Sequence, residues 1–93
     1  ILTSIDISGR SHLSYGLEIP ALKVGDFDTE LTREFFEAFV RKADITLHIK
    51  QLAGLNSHHI IEGTFKSFAR SLKIATSIDK EYENEIPSTK GVL

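Results

Sequence analysis

The sequence contains no cysteine, no methionine and no tryptophan, and two of its 93 residues are proline. Because cysteine is absent, neither a disulfide framework nor a thiolate metal site is possible, so any metal ion must be bound by histidine, carboxylate or water. The sequence also lacks an apolar run near the ~18 residues of a membrane span, and it lacks a leader that resembles a signal peptide. These absences predict a cytoplasmic protein.

The composition is that of an ordinary globular domain. Hydrophobic residues make up 41% of the chain and charged residues 26%, unlike disordered, collagenous or membrane sequences. A formal charge of −2 gives no general attraction to nucleic acid or anionic membranes. The length suits one small domain over residues 1–93 and is too short for two cores. Since the chain opens directly in strand-like sequence at Ile1, we expect an N-terminal portion to be missing from it.

Three segments alternate between apolar and polar residues, a period of two that is typical of half-buried strands. They are residues 1–8, residues 12–19 and residues 44–52. A turn at Gly9 and Arg10 separates the first two, which are predicted to form a hairpin. In the third strand, His48 falls on the polar face and is predicted to point away from the core.

Two segments have helical periodicity. The first follows a possible cap at Asp28 or Thr29 and runs to about residue 42, and the second covers about residues 57–76. Residues 20–28 are predicted to be a loop and residues 77–93 an irregular tail. The order strand, strand, helix, strand, helix predicts an α+β fold in which both helices cover one face of a small sheet. Because the other face would be bare, we expect pairing with a second such unit.

The start of the second helix holds a candidate metal site. His58 and Glu62 are four residues apart, so a nitrogen and an oxygen on one helix face can chelate one ion. His59 is rotated from His58 by about 100° and can serve a second ion. Zinc, manganese and iron all remain possible, and further ligands must come from elsewhere because these residues and His48 cannot saturate two ions. The alternative is that all four are ordinary solvated side chains.

A second set of residues could bind phosphate. Arg10, Lys66 and Lys90 supply positive charge, and Ser88 beside Lys90 supplies a hydroxyl. The alternative is a set of separate solvated charges. His12 lies on the polar face of the second strand without a carboxylate at chelating spacing, and we interpret it as structural. No Gly-x-Ser-x-Gly motif is present, so covalent catalysis is not suggested.

Five segments in order along the chain resemble the imidazoleglycerol-phosphate dehydratase family. They are Asp-Ile-Ser-Gly-Arg at 6–10, Gly-Asp-Phe-Asp-Thr-Glu-Leu at 25–31, Leu-His-Ile at 47–49, Asn-Ser-His-His-Ile-Ile-Glu at 56–62 and Pro-Ser-Thr-Lys-Gly at 87–91. The resemblance covers essentially the whole chain. Ser11 and His12 depart from it, since the family usually has a proline and an aromatic residue there.

The resemblance implies a fold and a metal centre. Subunits of this family consist of two similar halves, each resembling the ribosomal protein S5 domain 2-like fold and carrying a His-His-x-x-Glu helix. This chain would be the C-terminal half-domain. His48, His58, His59 and Glu62 are then implied to be manganese ligands, shared between two ions with an equivalent set from the N-terminal half. The implied assembly is a homo-oligomer of twenty-four subunits, built from trimers, with sites between subunits.

The resemblance also implies a reaction. The family removes water from imidazole glycerol phosphate to give imidazole acetol phosphate in histidine biosynthesis, and metal ions stabilise the imidazole ring as a carbon-bound proton leaves. Arg10, Lys66, Ser88 and Lys90 are implied to contact the substrate, chiefly its phosphate. The general base belongs to the other half, so no catalytic residue is assigned here.

Two other classes of function are alternatives to the dehydratase. One is a non-catalytic half-domain that pairs through its bare sheet face and uses metal ions to link subunits. The other is nucleic-acid binding, which is disfavoured because the sequence has neither a basic patch nor stacking aromatic residues on an exposed face.

Overall fold

The computed structural model describes residues 1–78, which form five strands and two helices. The elements in chain order are β1 (Leu2–Asp6), β2 (His12–Gly16), β3 (Lys23–Val24), β4 (Phe27–Asp28), α1 (Glu30–Ala43), β5 (Thr46–Lys50) and α2 (Ser57–Thr76). Both helices and the three longer strands form in the segments whose periodicity predicts them, although all three strands are shorter than predicted. Within residues 1–78, no helix is both long and apolar enough to cross a membrane.

The three longer strands form a mixed sheet in the order β1-β5-β2. β5 pairs antiparallel with β1 and parallel with β2, so the predicted hairpin between the first two strands is wrong. The helix α1 carries the chain from β2 to β5 as a crossover, which allows parallel pairing. Leu47 and Ile49 of β5 are almost fully buried, whereas the inward side chains of β1 and β2 are half-buried. The inward side chains of β5 are the most apolar and the most buried of the three strands, which favours the central position for β5.

The core lies between this sheet and the two helices. Phe36 of α1 and Phe68 of α2 are buried, and their rings meet edge to face with centroids 5.1 Å apart. Each buried Phe stabilises the fold by roughly 1.5–3 kcal/mol relative to an exposed one. At the sheet edge, the Thr3 hydroxyl lies 2.9 Å from the Ser67 hydroxyl and joins β1 to α2. The predicted α+β fold with helices on one face is confirmed.

The segment predicted to be a loop contains a short hairpin. Strands β3 and β4 pair antiparallel around Gly25, which has a positive φ of 59°. The Thr29 hydroxyl donates to the Ala21 carbonyl at 2.7 Å, which fastens this hairpin segment to the start of α1. Two-residue strands are too short to show a period of two, so the sequence pattern could not reveal them.

The face of the sheet opposite the helices is open and polar. Side chains from all three strands are exposed there: Ser4, Asp6, His12, Ser14, His48 and Lys50. Leu2 is the large apolar side chain on this face and is 56% exposed. The alternation of β5 thus places His48 away from the core, as predicted.

Candidate metal site

The first turn of α2 is fixed by two side-chain hydrogen bonds. The Asn56 side chain accepts a hydrogen bond from the backbone N–H of His59 at 3.0 Å and caps the helix. The Ser57 hydroxyl accepts one from the backbone N–H of Ala21, also at 3.0 Å. The helix start is therefore anchored to the segment before β3, and His58 and His59 project from it into solvent.

Glu62 has one neighbour on each carboxylate oxygen. Its Oε2 lies 3.4 Å from His58 Nε2, and its Oε1 lies 2.9 Å from Lys66 Nζ. The three residues are spaced four apart and so follow one face of the helix. The predicted proximity of His58 and Glu62 is observed, while their role as metal ligands stays a prediction.

The charge state of Glu62 follows from Lys66. The hydrogen bond from Lys66 and its positive charge lower the pKa of Glu62 below the usual 4.5, slight burial acts in the opposite direction, and His58 and His59 add smaller lowering effects. Glu62 is therefore a carboxylate at neutral pH. This ionised form is the one that binds metal ions.

His59 points elsewhere on the helix. Its ring centroid is 5.8 Å from that of His58, and the two ring planes are inclined at 60°. Consecutive helical residues are rotated by about 100° about the helix axis, so His59 lies off the face shared by His58 and Glu62. His59 can therefore contact a different ion or ligand from the one that lies between His58 and Glu62.

His48 does not join this group. It lies on the open face of the sheet, whereas α2 packs against the other face. In the part of the chain from residue 1 to residue 78, no three histidine, aspartate or glutamate side chains are arranged to hold one ion. The nearest aromatic ring to His48 is that of His12, with centroids 5.8 Å apart. Because the β2–β5 pairing was not predicted, this proximity was missed and His12 was interpreted as structural.

An apolar pocket borders His58. It has a volume of about 290 Å³ and is lined by Val24, Phe27, His58, Ile61 and Phe65. The first two belong to the β3–β4 hairpin, so the unpredicted hairpin forms one wall of the pocket.

Of the four residues predicted to bind phosphate, the structure describes two. Arg10 is exposed in the turn after β1, where its carbonyl accepts a hydrogen bond from the Thr46 hydroxyl at 3.2 Å. Lys66 lies in α2 and is paired with Glu62. Within residues 1–78 these two cations share no hydrogen-bonding partner. Ser88 and Lys90 lie outside the described residues.

The family model of imidazoleglycerol-phosphate dehydratase matches residues 1–72. The chain belongs to the imidazoleglycerol-phosphate dehydratase family. Curated dehydratases of this name include that of Trichodesmium erythraeum, 61% identical over 90 residues that cover 97% of this chain and 42% of the relative. That of Prochlorococcus marinus is 62% identical over 89 residues, which cover 96% of this chain and 44% of the relative.

Solved imidazoleglycerol-phosphate dehydratases have the same fold. The Staphylococcus aureus structure matches with a TM-score of 0.79 and 49% identity, over 81% of this chain and 44% of that one. The Pyrococcus furiosus structure matches with a TM-score of 0.82 and 38% identity, over 98% of this chain and 49% of that one. The chain thus spans about half the length of the dehydratases it matches, consistent with one half-domain of a duplicated fold.

Proposed function

We propose that this chain supplies one half of the active site of an imidazoleglycerol-phosphate dehydratase. The whole enzyme would remove water from imidazole glycerol phosphate to give imidazole acetol phosphate in histidine biosynthesis. The observation that carries the proposal is the family match over residues 1–72. Because the chain covers 42% of the Trichodesmium relative, the remaining parts of the site would come from the other half.

The donor atoms at the start of α2 fit a manganese ion. His58 and Glu62 offer a nitrogen and an ionised oxygen 3.4 Å apart, and the carboxylate of Glu62 is a type of ligand that suits Mn²⁺. We propose that His58, His59 and Glu62 hold two Mn²⁺ ions together with the other half, and that His48 adds a ligand from the open face across a subunit boundary. When bound, the metal supplies Lewis-acid stabilisation of negative charge on the substrate's imidazole ring.

The chain's basic residues would hold the other end of the substrate. Lys66 lies one helical turn beyond Glu62, so a phosphate bound at its ammonium would lie next to the proposed metal ligands. Arg10, Ser88 and Lys90 are proposed to complete the phosphate contacts within an oligomer of twenty-four subunits built from trimers. In this arrangement the residues of the chain bind and orient the substrate, and the proton is removed by a base of the other half.

The first experiment is to measure manganese content and turnover of imidazole glycerol phosphate. The chain is assayed alone and after mixing with a separately expressed N-terminal half of the Trichodesmium enzyme. Activity in the mixture and none in either half alone would support a shared site. If the mixture forms a complex that binds manganese and shows no turnover, the dehydratase proposal fails.

A second candidate is a non-catalytic half-domain in which metal ions link subunits. It is favoured by one observation, that residues 1–78 contain no group of three metal-binding side chains, so a second copy could complete a site. This hypothesis predicts that manganese shifts the chain from monomer to dimer in analytical ultracentrifugation. It also predicts that no mixture with the N-terminal half has activity.

A further inference from the structure

Two histidines stand next to each other on the open face of the sheet. The parallel register pairs His12 with Thr46 and Ser14 with His48, so His12 and His48 occupy diagonal positions on one face of neighbouring strands. Their ring centroids are 5.8 Å apart and the ring planes are inclined at 52°. Both side chains are exposed, so each can rotate without disturbing the core.

This separation suits two ligands of one ion. A metal–imidazole bond is about 2.0–2.1 Å long, so two nitrogens on one ion are at most roughly 4 Å apart. The nitrogens lie on the perimeter of each ring, so a nitrogen of one ring can be closer to a nitrogen of the other than the two centroids are. Rings with centroids 5.8 Å apart can therefore each direct one nitrogen at a common ion. Diagonal neighbours on adjacent strands are within reach of long and aromatic side chains.

The surroundings of the pair provide oxygen atoms and one negative charge. Ser4 and Ser14 flank His48 directly on the two neighbouring strands. Asp6 pairs with Thr46 in β1 and therefore stands diagonal to His48, on the side opposite His12. Lys50 of β5 also lies on this face, two residues beyond His48 and away from His12, and Arg10 lies in the turn two residues before His12. By register, a cation between the two rings lies on the Asp6 side of His48 and not on the Lys50 side.

We infer that His12 and His48 form a two-histidine site for a divalent transition metal ion that favours imidazole, such as Zn²⁺, with water completing the coordination. The inference rests on the proposed function only in that His48 binds a metal ion. It assigns His48 to Zn²⁺ held together with His12 of the same chain, in place of Mn²⁺ held across a subunit boundary. The site lies across the sheet from His58 and Glu62 and uses nitrogen ligands, so it selects Zn²⁺ over Mn²⁺.

The test is a Zn²⁺ titration of the untagged 93-residue chain, followed by NMR of the four histidine side chains. Zn²⁺ should shift the rings of His12 and His48 together with one midpoint. His12→Gln should weaken binding at His48 by about tenfold or more, in line with the losses seen when metal sites lose supporting groups. His48→Gln should have the same effect at His12, and the double variant, which keeps neither ligand, should lose Zn²⁺ binding on this face of the sheet.

Lys23→Gln is the control, because it changes an exposed residue of β3 on the short hairpin and should leave Zn²⁺ binding at His48 unchanged. Unchanged amide spectra show that each variant is folded. The inference is overturned if His12→Gln binds Zn²⁺ at His48 as well as the unaltered chain does, or if the shifts are confined to residues 58–66. These outcomes leave the dehydratase proposal intact, since that proposal depends on manganese at Glu62 and on turnover in the mixture.

Discussion

Glu62 is the residue on which the proposed metal site depends most. Its two oxygens face His58 and Lys66, so a metal ion bound with His58 would share the carboxylate with Lys66. Solvent screens exposed ion pairs, so they contribute little to stability, and Lys66 is therefore a weak competitor for the carboxylate. A metal ion can bind there without breaking a strong contact.

Glu62→Gln should weaken Mn²⁺ binding at α2 by about tenfold or more, because the amide removes a charged ligand. The fold should persist, since the Glu62 side chain is 46% exposed. Free Mn²⁺, measured by its EPR signal in the mixture of halves, reports the affinity. Glu37→Gln is the control, because Glu37 is similarly exposed and also has a partner four residues away, Arg33. Unchanged manganese binding in Glu62→Gln would refute the ligand assignment.

The pKa of Glu62 should depend on Lys66. Because Lys66 lowers this pKa below 4.5, the contribution of Glu62 to stability is present above the unfolded pKa and is lost as pH falls through the lower folded value. Lys66→Ala should therefore raise the pKa of Glu62, measured by NMR titration of its side-chain carboxyl carbon without metal. Lys73→Ala, which removes a cation from the last turn of α2, should leave it unchanged. If the titration midpoint of Glu62 is the same in Lys66→Ala as in the unaltered chain, Lys66 is not the cause of the lowered pKa.

At the scale of elements, hydrophobic periodicity predicted which side of a strand or helix faces the core, and it did not predict which strands are neighbours in the sheet. The alternation of β5 correctly placed His48 outside the core, and the spacing of His58 and Glu62 correctly placed them together. Strand order was not predictable in this way, because alternation has the same form in an edge strand and a central strand. The contact between His12 and His48 depends on that order, so the sequence pattern could not reveal it.

The pairing of β2 with β5 requires glycine at position 16. A Cβ atom there would lie 2.7 Å from the Ile49 carbonyl oxygen, so Gly16→Ala should force the strands apart and destabilise the fold by about 1–3 kcal/mol. Gly63→Ala is the matched control, since its Cβ would lie 3.5 Å from Ile1 Cγ1 in ordinary contact. In a helix this change should stabilise by about 0.5–1 kcal/mol. Urea unfolding measures both, and equal effects of the two changes would contradict the close approach at Gly16.

At the scale of the whole molecule, residues 1–78 carry an incomplete set of the ligands that the proposed metal site requires. Residues 1–78 bring together His58 and Glu62 and no third histidine or carboxylate for the same ion, whereas manganese in oxygen-rich sites is usually octahedral. The structural relatives are about twice as long as the part that matches this chain. In the proposed enzyme, the remaining ligands would come from that additional length.

Manganese should therefore stabilise the mixture of halves much more than it stabilises this chain. A ligand that binds the folded state at a hundred times its Kd adds about 2.7 kcal/mol, so the Tm of the mixture should rise steadily with Mn²⁺ concentration. The chain alone, in which His58 and Glu62 are the pair brought together for one ion, should show a much smaller rise at the same concentrations. Differential scanning calorimetry measures both, and Glu62→Gln in the mixture should abolish most of the rise. An equal rise for the chain alone would mean that the 93 residues contain a complete site.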